Sequence, residues 1–316
     1  MKIKKTMTPI MVATTMCLIF TGCKKTEDTA PSTTQTTDDS NQQAVSAADI
    51  NNVENESAKS LDDVNAVLDG ISNLRSSSAP CNITVDSSAK AIGLIKLTFV
   101  GNNCDNTKSR SGIISIQLLY DGTNVTRWRT AGAKVTLTYS NFKVTNLLDN
   151  KSLTFNGTHS VTNVNGGGLG TITSGTSVIH KVRGTMQLTF DDGTFRLWNI
   201  ARTRTFTNTG GIINDKVTGD TTVNNHTNVA MWGTNRAGEI FDISITTPVV
   251  VNVAGSTCLY KPLSGVRVHH GLARELTVTY GVNASGVVEP LGNCPYGFKL
   301  NWTNFKGLAK EVIRSY

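Results

Sequence analysis

The side chains with the most chemical capacity are five histidines, His159, His180, His226, His269 and His270, and one adjacent acidic pair, Asp191-Asp192. Hydrolysis needs a nucleophile, a base and an orienting acid gathered at one point. The chain carries neither a Gly-x-Ser-x-Gly elbow nor a His-Glu-x-x-His pair, the spacings that would gather such groups locally. His269 and His270 adjoin in a strand-like run, and neighbouring strand residues project to opposite faces, so the two cannot share a pocket. His159, His180 and His226 are scattered through Thr- and Asn-rich runs, and all five histidines read as surface strand residues. Asp191-Asp192 is followed by Gly193 between two strand-like runs, which makes a turn and not the paired carboxylates of a glycosidase cleft. No catalytic set, metal site or cofactor is expected from these residues.

The cysteines carry more. Of the six, Cys17 falls within residues 1–22 and Cys23 follows Phe20-Thr21-Gly22. Lys2, Lys4 and Lys5 give a positive start. Residues 7–20 are mostly apolar but interrupted by Thr8, Pro9, Thr14 and Thr15, short of the roughly 20 apolar residues of a membrane span. A charged start, an apolar middle and a small-residue exit make residues 1–22 a secretory signal. The exit is similar to the lipobox of bacterial lipoproteins, where small residues enter a protease groove and the following thiol takes a diacylglyceryl group. Cys23 is the expected lipidation site. Two or three acyl chains hold stably because each buried CH₂ adds about 0.8 kcal/mol, so the chain's first partner is a membrane. Lys24-Lys25-Thr26-Glu27-Asp28 is similar to the lysine-plus-acid tags of Bacteroidota surface lipoproteins. That order favours the cell-surface face of the outer membrane over its periplasmic face.

Cys81, Cys104, Cys258 and Cys294 remain in the mature body. Four cysteines allow three connectivities, and in an oxidising compartment the local pairs Cys81–Cys104 and Cys258–Cys294 are favoured. The spacings include no C-x-x-C and no histidine close by, so zinc is not expected there.

Charge divides the chain. Residues 23–80 hold four basic and ten acidic side chains, and residues 81–316 hold 23 basic and 13 acidic ones. A basic body suits an anionic glycan or another anionic envelope component; it has no recognised nucleic-acid motif. On one run Trp198 alternates with Arg196, Ile200, Arg202 and Arg204, and Arg127-Trp128-Arg129 lies on another. Indole and guanidinium groups on a flat sheet could stack on sugar rings or grip acidic glycans. The plainer reading puts the tryptophans in the core, with arginine stems covering it; Trp232 and Trp302 are read as core.

Residues 23–50 are Thr, Ser, Asp, Gln, Asn and Ala with hardly an apolar side chain, and read as a flexible tether. Residues 51–80 form an acidic helical segment. Ser60 is its expected cap, Asp62 and Asp63 lie in its first turn, and Leu61, Val64, Leu68 and Ile71 line one stripe that must dock on the body. From 81 to 316 the period changes to two, as in Ile95-Lys96-Leu97-Thr98-Phe99 and Leu276-Thr277-Val278-Thr279-Tyr280. Asp121-Gly122, Asn156-Gly157, Gly166-Gly167-Gly168, Asp192-Gly193 and Gly210-Gly211 read as turns between strands, and 170–182 and 194–207 as long strands. The expected fold is all-β: a long antiparallel meander, bent into a sandwich in preference to a closed barrel and preceded by one short amphipathic helix. With no helix-length pattern between strands, βαβ architecture is excluded.

Leu61-Asp62-Asp63-Val64-Asn65, Cys81-Asn82-Ile83-Thr84-Val85-Asp86, Asn102-Asn103-Cys104-Asp105 and Lys108-Ser109-Arg110-Ser111-Gly112-Ile113 together resemble a family of Bacteroidota lipoproteins. Arg202-Thr203-Arg204-Thr205, Ile245-Thr246-Thr247-Pro248, Cys258, Ser264-Gly265 and Cys294 extend the resemblance over roughly residues 60–305. The loop at 281–293 is longer than in that pattern. The resemblance implies an envelope location and an all-β body, and brings no catalytic residues. The reading that follows is a membrane-anchored, non-enzymatic binding or structural module; the alternative is an envelope enzyme acting on glycan or peptide.

Overall fold

The computed structural model describes residues 35–69, 81–236, 238–271, 275–290, 292–304 and 306–316. The residues read as a secretory signal (1–22), Cys23, the lysine-acid run 24–28 and Ile71 lie outside them.

Helix α1 (Gln35–Asp69) spans 35 residues, about 50 Å at 1.5 Å per residue. It begins well before the expected cap and takes in positions 35–50, which composition assigned to the tether. Ser60 is therefore mid-helix: its hydroxyl donates to the Ser57 carbonyl at 2.8 Å and meets the Tyr139 hydroxyl at 2.9 Å. Ile50, Val53, Leu61 and Val64 fall on one stripe and join the core, so the expected docking of Leu61 and Val64 is what the fold contains. Around that stripe the helix is polar, and Glu54, Glu56, Ser57, Asp63 and Asn65 are buried as well.

Fifteen strands follow. They are β1 (Ile83–Asp86), β2 (Leu94–Asn102), β3 (Lys108–Leu118), β4 (Ala133–Asn146), β5 (Ser152–Asn163), β6 (Ser177–Phe190), β7 (Phe195–Thr209) and β8 (Ile212–Gly219). Then come β9 (Thr221–Val223), β10 (His226–Thr234), β11 (Ile240–Ala254), β12 (Pro262–His270), β13 (Leu276–Val282), β14 (Gly297–Thr303) and β15 (Ala309–Ser315). Neighbours in sequence are neighbours in the sheet, all antiparallel, from β1 to β7 and from β11 to β15. Between β7 and β11 the place of one strand is shared. β8 pairs with Arg202–Thr209 of β7 and Val249–Ala254 of β11, while β10 pairs with Trp198–Ile200 and Ile240–Ser244.

The sheet wraps the helix. Asp63 of α1 holds Arg110 on β3 at 2.9 Å, and Asn51 accepts the Tyr280 hydroxyl on β13 at 2.7 Å. Those strands stand eight steps apart in the sheet, nearly 40 Å along a flat one, whereas Asn51 and Asp63 are only about 18 Å apart along the helix axis. One helix reaches both because the sheet curls around it. Glu54 and Glu56, about 200° apart around the axis, accordingly meet different strands: Glu54 binds Arg202 of β7 (3.3 Å) and Arg267 of β12, and Glu56 binds Lys108 of β3. The meander is thus one sheet with two free edges, β1 and β15, among the described residues. The helix occupies the layer that the sandwich reading assigned to a second sheet.

Inward residues alternate along each strand, as Val135, Leu137 and Tyr139 do on β4 before a bulge at Asn141 passes the pattern to Phe142 and Val144. Asn156-Gly157, expected as a turn, lies inside β5 beside that bulge. A Cβ on Gly157 would sit 2.4 Å from the Thr185 carbonyl oxygen, so the residue serves close strand approach. Gly210 and Gly211 do form the tight β7–β8 turn, both at positive φ. The run 194–207 becomes β7, whereas 170–182 divides: Leu169–Thr171 is a 3₁₀ turn and β6 starts at Ser177.

Both expected disulfides are formed. Cys81–Cys104 ties the entry of β1 to the β2–β3 turn, and Cys258–Cys294 ties the β11–β12 loop to the β13–β14 loop. The sequence separations of 23 and 36 residues imply about 3 to 4 kcal/mol from each in the chain-entropy treatment.

Two outcomes follow. Glu54→Ala leaves two buried guanidinium groups without their carboxylate and costs about 3–5 kcal/mol in urea unfolding; Lys59→Ala, on the more open side of α1, changes stability by less than about 1 kcal/mol. Full reduction of the two disulfides lowers the urea midpoint, and the Cys104→Ser and Cys294→Ser variants each reproduce part of that loss.

Candidate functional site

Of the residues considered for glycan contact, the four on β7 turn inward. Trp198, Arg196, Arg202 and Arg204 alternate along β7 on its concave side, and none is more than 3% exposed. Two of them, Arg202 and Arg204, do bind anions, but those of their own chain. Arg202 donates to Glu54, while Arg204 donates through Nε to Asp215 at 2.7 Å and through Nη2 to Asp62 at 3.4 Å. Arg196 stacks over the Phe241 ring at 4.6 Å. Burial pulls the Arg196 and Arg202 guanidinium groups down to about 10, which leaves both charged at neutral pH. Burial pulls Arg204 down too, but Asp215 and Asp62 outweigh it and hold the group above its ordinary range. An external sugar or lipid headgroup therefore does not reach these four. Trp128 and Trp302 also join the core, Trp232 is half-buried, and Arg127 and Arg129 are exposed.

Three histidines depart from the surface role expected of them. His159, His180 and His269 are fully buried. His159 lies edge-on between Tyr139 and Trp198, and His180 lies between Trp128 and Phe206. Burial, with nearby arginine charge as a secondary cause, pushes each of the three down to about 3, so they are neutral imidazoles at any physiological pH. His269 faces in and His270 faces out, as strand alternation requires.

A cleft of about 430 Å³ opens beside α1, lined by Asp49, Glu56, Lys108, Lys151, Asp191, Asp192 and Arg236. Several of its charges are paired: Arg236 bridges Asp49 at 2.8 Å and Asp192 at 3.2 Å, and Glu56 binds Lys108. Asp191-Asp192 forms the β6–β7 turn as expected, with Asp192 accepting the Thr194 amide and hydroxyl. A second cleft of about 380 Å³ lies between α1 and the last strand, lined by Lys59, Tyr260, Lys261, Phe298, Arg314 and Tyr316 among others.

A different group converges on the convex face. Phe241 and Ile243 of β11 point into the core, so Asp242 between them points outward. Its register partner on β12 is His270. The chain between β8 and the paired part of β10 leaves the sheet as a two-residue hairpin, with Asn224 and Asn225 both at positive φ. This hairpin brings His226 Nδ1 to 2.8 Å from Asp242 Oδ2 and lets Asn224 Nδ2 donate to Asp242 Oδ1 at 3.0 Å. The His226 and His270 rings stack at 3.7 Å, and His270 Nδ1 lies 3.5 Å from Glu275 Oε2. The ligand atoms of His226, Asp242 and His270 all fall within 4.8 Å of one another. Such a group can hold a metal ion or share a proton. It was not foreseen from the sequence, because its members stand on three strands and no local spacing joins them.

Compared with protein-family models, with curated proteins and with solved structures, the chain matches none.

The interior histidines make stability depend on pH in one direction. An unfolded imidazole binds a proton below about 6.5, while the folded ones resist protonation until about 3. The unfolded state therefore holds more protons in that window, and stability, complete above pH 6.5, falls as the pH drops. The slope is about 1.4 kcal/mol per pH unit for each histidine. Urea unfolding between pH 7 and 5 should show that loss, and His159→Phe should remove one histidine's share of the slope.

Proposed function

We propose that this chain is an exported lipoprotein, anchored through lipid on Cys23, whose β body is a non-enzymatic binding or structural module at the outer membrane. One observation carries most of this reading. The hollow in which a curled sheet would admit a ligand is filled by the chain's own helix, and that helix takes the guanidinium groups lining it. Two disulfides support an oxidising compartment. Among the described residues no helix is long and apolar enough to cross a membrane, so the lipid is the proposed attachment. Helix α1 begins twelve positions after Cys23, and a chain of that length reaches at most about 40 Å, which keeps the body close to the bilayer. On the convex face Lys134 and Lys143 are exposed, as are Lys181 and Arg183, which share Asp220. We assign this basic surface, Lys134 and Lys143 above all, to contact with an anionic glycan or another anionic component of the envelope. The cell-surface face and kinship with Bacteroidota lipoproteins belong to the same proposal.

The anchor is tested by expressing the full chain and its Cys23→Ser variant in a Gram-negative host and separating detergent from aqueous phase. The wild type enters the detergent phase and yields an acylated Cys23 peptide by mass spectrometry, and the variant moves to the aqueous phase. A Cys23→Ser chain that stays with the detergent would overturn the proposal.

A further inference from the structure

We propose that His226, Asp242 and His270 form a binding site for one divalent first-row transition metal ion on the convex face of the sheet. The argument begins with Asp242. Among the described residues five carboxylates are buried: Glu54, Glu56, Asp63, Asp215 and Asp242. The first four are each held by an arginine or lysine. Asp242, whose side chain is 2% exposed, has instead an imidazole and an amide. A buried carboxylate needs hydrogen-bonding or charged partners. Asp242 meets a histidine and an asparagine, with a second histidine within ligand reach: the side-chain set that also holds a transition-metal ion.

The chemistry of the set points to a particular class of ion. Two imidazoles and one carboxylate suit zinc, nickel, cobalt, copper or ferrous iron and are poor ligands for calcium or magnesium, which favour oxygen. His226 Nδ1 and Asp242 Oδ2, 2.8 Å apart, already stand near the separation of two adjacent ligands on an ion with bonds of about 2.1 Å. The surrounding groups resemble those that orient metal ligands: Asn224 fixes the second oxygen of Asp242, and Glu275 faces His270 Nδ1, leaving Nε2 for the ion. Binding replaces the His226–Asp242 hydrogen bond and turns the two stacked rings so that their in-plane lone pairs meet at the ion. The His226 side chain is 39% exposed, which gives it room to turn and the ion a route in. Three protein ligands leave at least one position open, so the bound ion presents a site for water or an anionic oxygen ligand to the exterior. It also pins the β9–β10 hairpin onto β11 and β12.

The test uses the full mature chain in detergent, without a polyhistidine tag. Zn²⁺ binding is followed by calorimetry and Co²⁺ binding by visible absorption. The expected result is one ion per chain at micromolar affinity or tighter, with Co²⁺ bands displaced by Zn²⁺. His226→Ala and His270→Ala each weaken binding by about 100-fold or more, and Asn224→Ala by about 10-fold. Circular dichroism confirms that the hairpin variant His226→Ala keeps the β fold. Zn²⁺ raises the melting temperature of the wild type but not of that variant. Absence of saturable one-to-one binding, or undiminished affinity in both histidine variants, would overturn the proposal. Neither result bears on the lipid anchor.

Discussion

The fold depends on carboxylates of one helix meeting guanidinium groups of a sheet away from water. Glu54 stands between Arg202 and Arg267, Asp63 beside Arg110, and Asp62 joins Asp215 at Arg204. Each ion alone would be costly to bury. Matched across the helix–sheet boundary, they let a polar helix fill a space that an apolar core element would otherwise have to occupy. The same contacts go with the curl of the sheet, since Arg110 on β3 and Arg267 on β12, seven steps apart, both reach one helix. The apolar stripe of Ile50, Val53, Leu61 and Val64 supplies burial, and the ion pairs add register and orientation because each carboxylate meets a cation on a particular strand.

This arrangement separates two environments on every strand. The concave side is dry enough to hold imidazoles neutral and to lower Arg196 and Arg202, and several of its polar side chains meet α1 or aromatic neighbours. The convex side carries threonines and lysines in water. His269 and His270 show the division across a single peptide bond: one packs inside as a neutral ring, and the other joins a polar group outside.

The convex group owes its existence to an irregularity in the meander. Because β8 and β10 share the place of one strand between β7 and β11, the chain joining them must leave the sheet and return. Close crossing marks the exit: a Cβ on Gly219 would lie 1.8 Å from the Asn228 carbonyl oxygen. The excursion is short, and its hairpin carries Asn224 and His226 to Asp242. A regular meander would keep that histidine in the plane of its own strand pair.

Much of the fold was legible in order. The alternation of Thr with Val, Leu and Phe, the Gly-Gly and Asp-Gly turns and the absence of helical spacing after Cys81 specify an antiparallel meander, because these are local preferences of backbone and side chain. The two cysteine pairs were legible for the same reason: each joins loops near in sequence. The length of α1 was not legible, since residues 35–50 have the polar composition of a tether yet continue the helix whose later carboxylates, Glu54, Glu56, Asp62 and Asp63, pair with basic strand residues. Arg202 and Arg204 read as surface charge and are buried, because only the curled sheet brings Glu54 and Asp62 to them. His226, Asp242 and His270 converge through strand register and an everted hairpin. Local pattern thus determined the elements and their sequence of turns. Tertiary structure decided which charges face each other, because a buried ion pair depends on distance in space and leaves no period along the chain.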